Sequence, residues 1–332
     1  MALSARQLRR ELREAGIANA AINAVWPEWW SAEANDSLSA TTELTFTVAR
    51  RLGLSPRALF DGSPQFLWHD STKFKNLGTT TDREQAILAS FGTSVGRCAL
   101  NATPSSDFPP ITHAQTIRDA ILKEARFVDL TELLKFCWQT GIPVIQLRVF
   151  PLKQKHMQAM TVKVKGRYAI LLGYESAYYA RVAYILAHEI GHILLGHLEN
   201  SDSLLDIDDP LRANDLDAEE LEAERAAFVL LTGRDNPQVL ADTQSYTATR
   251  LAGAAITAAD QVQIEPGILA LCLGHATGKW PQTFGALKIL SRGGQPVGDQ
   301  INQLAANQFS WQELSPANRE YLAQVIGFGD RA

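Results

Sequence analysis

Cysteine is scarce in this chain. Cys98, Cys137 and Cys272 are the only three in 332 residues, and they stand far apart in helical or apolar settings. That spacing argues against a disulfide framework or a cysteine-built metal site and leaves buried free thiols as the expectation. A basic excess is missing too. With a net charge of −5 at pH 7, no global field draws the chain to nucleic acid or anionic membrane, so any DNA contact must be local. No apolar run approaches the ~18 residues of a membrane span. The first ten residues already carry Arg6, Arg9 and Arg10, with no signal-like apolar region. A cytoplasmic protein without a membrane partner is therefore expected. What the composition does supply is 46% hydrophobic and 20% charged residues, enough core for one large domain or two to three smaller ones.

Residues 1–65 read as a small all-helical module. Ser4 caps a first helix that ends at Gly16, Ala18 to Val25 form a second, and Leu44, Val48 and Leu52 mark the buried stripe of a third that closes at Gly53. Ser55 and Pro56 then start a short fourth helix as N-cap and first turn. The segment Val48-Ala49-Arg50-Arg51-Leu52-Gly53-Leu54-Ser55-Pro56-Arg57-Ala58-Leu59-Phe60 resembles the last two helices of XRE-like helix-turn-helix domains of the phage-repressor type. Seven arginines in this module face seven carboxylates, whereas a DNA-binding face normally shows a basic excess. Two roles stay open, contact with duplex DNA and docking to protein, a homodimer included, and the charge balance favours the second. Residues 66–110 read as a connector with one helix, Asp82 to about Leu100, followed by a Pro/Ser-rich linker, 103–110.

Residues 111–332 read as the main domain. Two helices lead to a strand at Ile142–Leu147 and a hairpin, Met160–Val164 with Tyr168–Leu172, turning near Lys165-Gly166. A long helix of about 176–196 follows and carries Ala187-His188-Glu189-Ile190-Gly191-His192-Ile193-Leu194-Leu195-Gly196-His197. On a helix, His188 and His192 lie ~40° apart around the axis and close on one metal ion from the same face. Two imidazoles suit zinc, and Glu189 beside them suits a general base acting on a water. The expected fold is a mostly helical α+β domain with a three-stranded sheet beside the motif helix, an arrangement whose exposed edge could take up an extended peptide.

Catalytic zinc requires a third protein ligand. His197 lies five positions beyond His192, about 140° round a continuing helix, and suits a helix-end role better. Downstream, Asp217 to Leu231 reads as a strong helix whose first half offers Glu219, Glu220, Glu222 and Glu224. Residues 199–224 hold eleven carboxylates against the single Arg212, and two readings stay open, a solvated, charged loop and a rim of the active site that favours basic or polar substrates. The helical C-terminal part, with His275 and Lys279, carries no assigned chemistry.

The motif helix, followed at this distance by Glu220-Leu221-Glu222-Ala223-Glu224-Arg225-Ala226-Ala227-Phe228-Val229-Leu230-Leu231, resembles the ImmA/IrrE metallopeptidases. That resemblance implies a zincin-like fold, a zinc cofactor, and a third ligand at Glu220, with Glu224 the alternative and otherwise a hydrogen-bond support for a ligating histidine. Glu224, Ala226 and Thr232-Gly233 depart from the family pattern, and the first departure bears on which carboxylate reaches the metal. The resemblance further implies a zinc-dependent endopeptidase that cleaves a regulatory protein, such as a transcriptional repressor, in stress response or mobile-element control. The other function open from the sequence is a DNA-binding regulator or antitoxin-like module with a structural or regulatory zinc site.

Overall fold

The computed structural model describes residues 3–75, 80–106, 113–154, 157–207, 217–237, 245–291 and 296–328. The start signals in the sequence are largely the ones the helices use. Ser4 forms a full capping box with Gln7 at the head of α1 (Ala5–Glu14), and Ser55 with Pro56 opens α4 (Pro56–Phe60). Between them lie α2 (Asn19–Ala24) and α3 (Leu38–Leu52), the latter capped by Ser37 and ended by Gly53. The helix α5 (Asp82–Asn101) has its own capping box from Thr81 and Glu84.

Then come α6 (Ala114–Ile121), α7 (Leu130–Gln139), the motif helix α8 (Tyr179–Leu194) and the glutamate helix α9 (Ala218–Thr232). The C-terminal part adds α10 (Ala248–Val262), α11 (Pro266–Thr277), α12 (Trp280–Leu290), α13 (Val297–Gln308) and α14 (Pro316–Val325). The protein is thus mostly helical, with one small mixed sheet.

That sheet has five described strands, in the order β1-β5-β3-β4-β2. The expected pieces are β2 (Val144–Gln146), β3 (Ala159–Val164) and β4 (Arg167–Leu172). Two more, β1 (Thr72–Lys75) and β5 (Ser203–Asp206), fall where a connector and an acidic loop were expected. The second is a correction with a clear cause. Leu204 and Leu205 are fully buried, but a four-residue strand among eleven carboxylates is too short to show an alternating pattern. The rest of that acidic stretch up to the glutamate helix, residues 208–216, lies outside the described residues, as do 107–110 of the linker.

Alternation along the strands divides the core in two. Val144, Ala159, Ile170 and Leu172 face α8 and its neighbours, while Ile145, Met160, Val162, Leu171 and Leu205 face α5, the N-terminal helices and α14. The helix expected as a connector therefore lies directly on the sheet. Gly92 and Gly96 allow it to, since a Cβ at either would come within 3 Å of Met160 or Val162. Arg51, one of the seven arginines of the N-terminal module, is buried, donating to the Val25 carbonyl and to Glu320 and Ala317. The three cysteines are free and buried, as expected. No described helix is long and apolar enough to cross a membrane.

Candidate metal centre

The motif helix reaches the centre through Gly191. A Cβ at that position would meet the Ala223 carbonyl at 2.8 Å, so the missing side chain is what lets the glutamate helix lie against the motif helix. Asp217 caps the glutamate helix, accepting from the Glu220 N–H at 3.0 Å. Glu220 thus stands in the first turn, where the helix dipole favours a carboxylate. At that position a glutamate often folds back to complete a capping box. Here its carboxylate turns to the motif helix instead.

His188, His192 and Glu220 are brought together. The two Nε2 atoms lie 3.1 Å apart, and the Glu220 carboxylate stands 3.2 Å from His188 Nε2 and 3.3 Å from His192 Nε2. A fourth donor, which the sequence reading did not single out, is Asp206 at the end of β5, 3.6 Å from His188 Nε2. One ligand atom from each of His188, His192, Asp206 and Glu220 lies within 4.8 Å of all the others, and all four residues are buried.

These residues fit a divalent cation. Metal–ligand bonds of about 2.0–2.2 Å in a tetrahedron place the ligand atoms roughly 3.3–3.6 Å apart, close to the separations of 3.1–3.6 Å given above. Two imidazole lone pairs facing each other at 3.1 Å need a proton or a cation between them. The buried carboxyls of Asp206 and Glu189 have no hydrogen-bond partner beyond each other and Thr161, and Glu220 Oε1 has none among the described residues, a costly arrangement for carboxylates out of water unless a cation compensates them.

The surroundings hold the donors in place. His192 Nδ1 lies 2.8 Å from His197 Nδ1, and His197 Nε2 is 3.3 Å from Glu222, so an imidazole and a carboxylate orient the His192 ring from behind. His197 is thereby outside the donor set, just beyond the helix end, as its spacing suggested. Glu224 is also outside it: its carboxylate meets His275 Nε2 at 3.1 Å and lies 3.5 Å from the Tyr184 hydroxyl. The Tyr184 ring stacks over His188, centroids 6.4 Å apart.

No family model, curated protein or solved structure matches the chain. The donor set and its neighbours therefore carry the reading of the site on their own.

Glu189, beside the cluster, is fully buried, accepts from Thr161 Oγ1 at 2.5 Å through Oε2, and has the Asp206 carboxyl as its other polar neighbour. Burial pushes its carboxyl up to about 7, with the Thr161 hydrogen bond working against the rise. Burial and the Glu189 charge likewise push Asp206 well above the usual range. His192 is held well below its ordinary value by burial and by the charge of His188. For His188 burial acts downward, but the Glu220 hydrogen bond and the charges of Asp206, Glu220 and Glu224 outweigh it and raise the value.

Proposed function

We propose that the protein is a zinc-dependent metallopeptidase of zincin-like architecture, with His188, His192 and Glu220 as ligands and Glu189 as general base. The observation that carries this reading is Glu189 itself. A metal site that only braces the fold has no use for an additional buried carboxylate beside the donors. Glu189 has one oxygen fixed by Thr161, and its carboxyl lies against that of Asp206, itself one of the four clustered donors.

A zinc ion in this donor set, when bound, supplies a Lewis acid that polarises a carbonyl and lowers the pKa of a water. The chain's own groups do the rest. Thr161 fixes the Glu189 carboxylate so that its other oxygen accepts the proton of the attacking water and afterwards returns it to the leaving amine. The His197–Glu222 pair keeps the His192 ring in the orientation a ligand needs.

The resemblance of the two motif helices to the ImmA/IrrE metallopeptidases supports a regulatory protein as substrate, a transcriptional repressor being the type that resemblance implies. Activity against such a protein is tested with Glu189→Gln. Loss of peptide cleavage by about 10²- to 10⁴-fold, with zinc content kept near one per chain, is the expected outcome; unchanged cleavage removes Glu189 from the mechanism. A second reading, a structural zinc site in a regulator, is favoured by one observation: Asp206 makes a fourth protein donor, and closed four-ligand sites are the structural kind.

A further inference from the structure

The edge of β3 that an extended peptide would need is already taken. β5 pairs with it antiparallel, Ala159 opposite Asp206 and Thr161 opposite Leu204, and β1 continues the sheet beyond β5. Because side chains alternate across a strand, Leu204 and Asp206 project to the same face as Thr161, the face of the motif helix. The chain thus lays its own strand along the route to the centre and points a carboxylate into the donor set.

The strand is held down by β1. Lys75 Nζ reaches Asp217 at 2.6 Å and Glu219 at 2.8 Å, Lys73 Nζ reaches Glu219 at 2.9 Å and the His197 carbonyl at 2.8 Å, and Thr72 Oγ1 lies 2.7 Å from Ser203 Oγ. The two lysines therefore tie the outermost described strand to the head of the glutamate helix and to the end of the motif helix. Behind this cover Glu189, His192, Asp206 and Glu220 are at most 1% exposed, which leaves no room for a peptide beside Glu189.

We infer that β5 is an intrasteric inhibitor: Asp206 occupies the fourth ligand position, and the enzyme becomes competent only when β5 leaves the edge of β3. This inference rests on the metallopeptidase reading and explains how a four-donor site and a general base coexist. The segment that replaces β5 is an extended peptide that pairs with β3 and places an apolar side chain where Leu204 sits. Release requires the Lys73 and Lys75 ion pairs to open, so a partner or substrate that competes for Asp217 and Glu219, or for the two lysines, would favour the active form.

The test uses full-length protein loaded with cobalt in place of zinc and acetohydroxamate as the probe, read by the visible absorption of the metal. A ligand that binds only an open minor state of 0.1–10% population gains about 10- to 1,000-fold in apparent affinity when that state is made dominant. Asp206→Ala is expected to show a gain in that range while keeping one metal per chain. The double variant Lys73→Met/Lys75→Met, outside the donor set, is expected to move the same way, and it serves if Asp206→Ala does not fold. Equal acetohydroxamate binding by wild type and both variants would overturn the inference, and so would loss of the metal from folded Asp206→Ala, which would make Asp206 an indispensable structural ligand. The metallopeptidase reading fails separately: probe binding that rises in the variants without any peptide cleavage leaves the gate standing and removes the peptidase.

Discussion

His275 and Glu224 form an ion pair beside the centre whose titration can be followed directly. The Glu224 hydrogen bond raises His275 above its ordinary value, with burial working against it. A histidine with a raised folded-state pKa contributes stability that is fully present below its unfolded value, about 6.5, and is lost as pH rises through the folded value. Glu224→Gln should therefore bring the His275 imidazole resonance back toward 6.5 in an NMR titration and cost more stability at pH 6 than at pH 8. The His275 side chain is 40% exposed, so screening keeps the loss within about 1 kcal/mol. An unshifted resonance would detach Glu224 from His275 and reopen its place among the donors.

A second residue-scale expectation concerns His197. Removing the group that orients a ligating histidine typically lowers metal affinity about 10- to 100-fold, so His197→Ala should weaken zinc binding by that factor in a competition titration with a chromophoric chelator. Full affinity would show that the His192 ring needs no such support. The two candidate ligand histidines were legible in the sequence because helical spacing alone puts positions 188 and 192 on one face. Asp206 was not, because it reaches the centre through strand pairing across forty-odd residues of chain, and it stands among eleven carboxylates of which nothing local marks one.

At the scale of elements, the two motif helices meet because position 191 has no side chain. Gly191→Val would drive a branched side chain against the Ala223 backbone, which has no rotamer to change. Overpacking of this kind costs roughly 1–3 kcal/mol, and it also pushes Glu220 away from His188 and His192. Urea denaturation of the metal-free protein should show the loss, and a chelator competition should show weaker zinc binding in the same variant. Wild-type stability would mean the helices can separate freely.

The helices of the N-terminal module could be placed from caps and stripes, since Ser4, Ser55, Pro56 and Gly53 act locally. The sheet could be read only in part. The β3–β4 hairpin has an adjacent partner and a turn between, whereas β1 and β5 are four-residue strands that pair in parallel with each other from distant parts of the chain. Parallel pairing of this kind leaves no turn signal in the sequence.

Across the whole molecule, the first and last helices share one core. Arg51 is 2% exposed, and its partner Glu320 is 14% exposed. The Tyr321 hydroxyl donates to the Arg51 carbonyl at 2.7 Å, and burial holds that hydroxyl well above its usual value. Deleting one member of a buried ion pair typically costs about 3–5 kcal/mol, so Arg51→Ala should lower the urea midpoint of the entire protein in one transition. A separate early transition confined to the N-terminal helices would show instead that they fold as an independent unit.

Metal content tests the central claim most directly. Protein purified without added metal or chelator and measured by inductively coupled plasma mass spectrometry should carry about one zinc per chain, as one closed donor set requires. His188→Ala, His192→Ala and Glu220→Ala should each lose most of it while Glu224→Ala retains it. Zinc absent from the wild type, or retained in full by folded Glu220→Ala, would contradict the account.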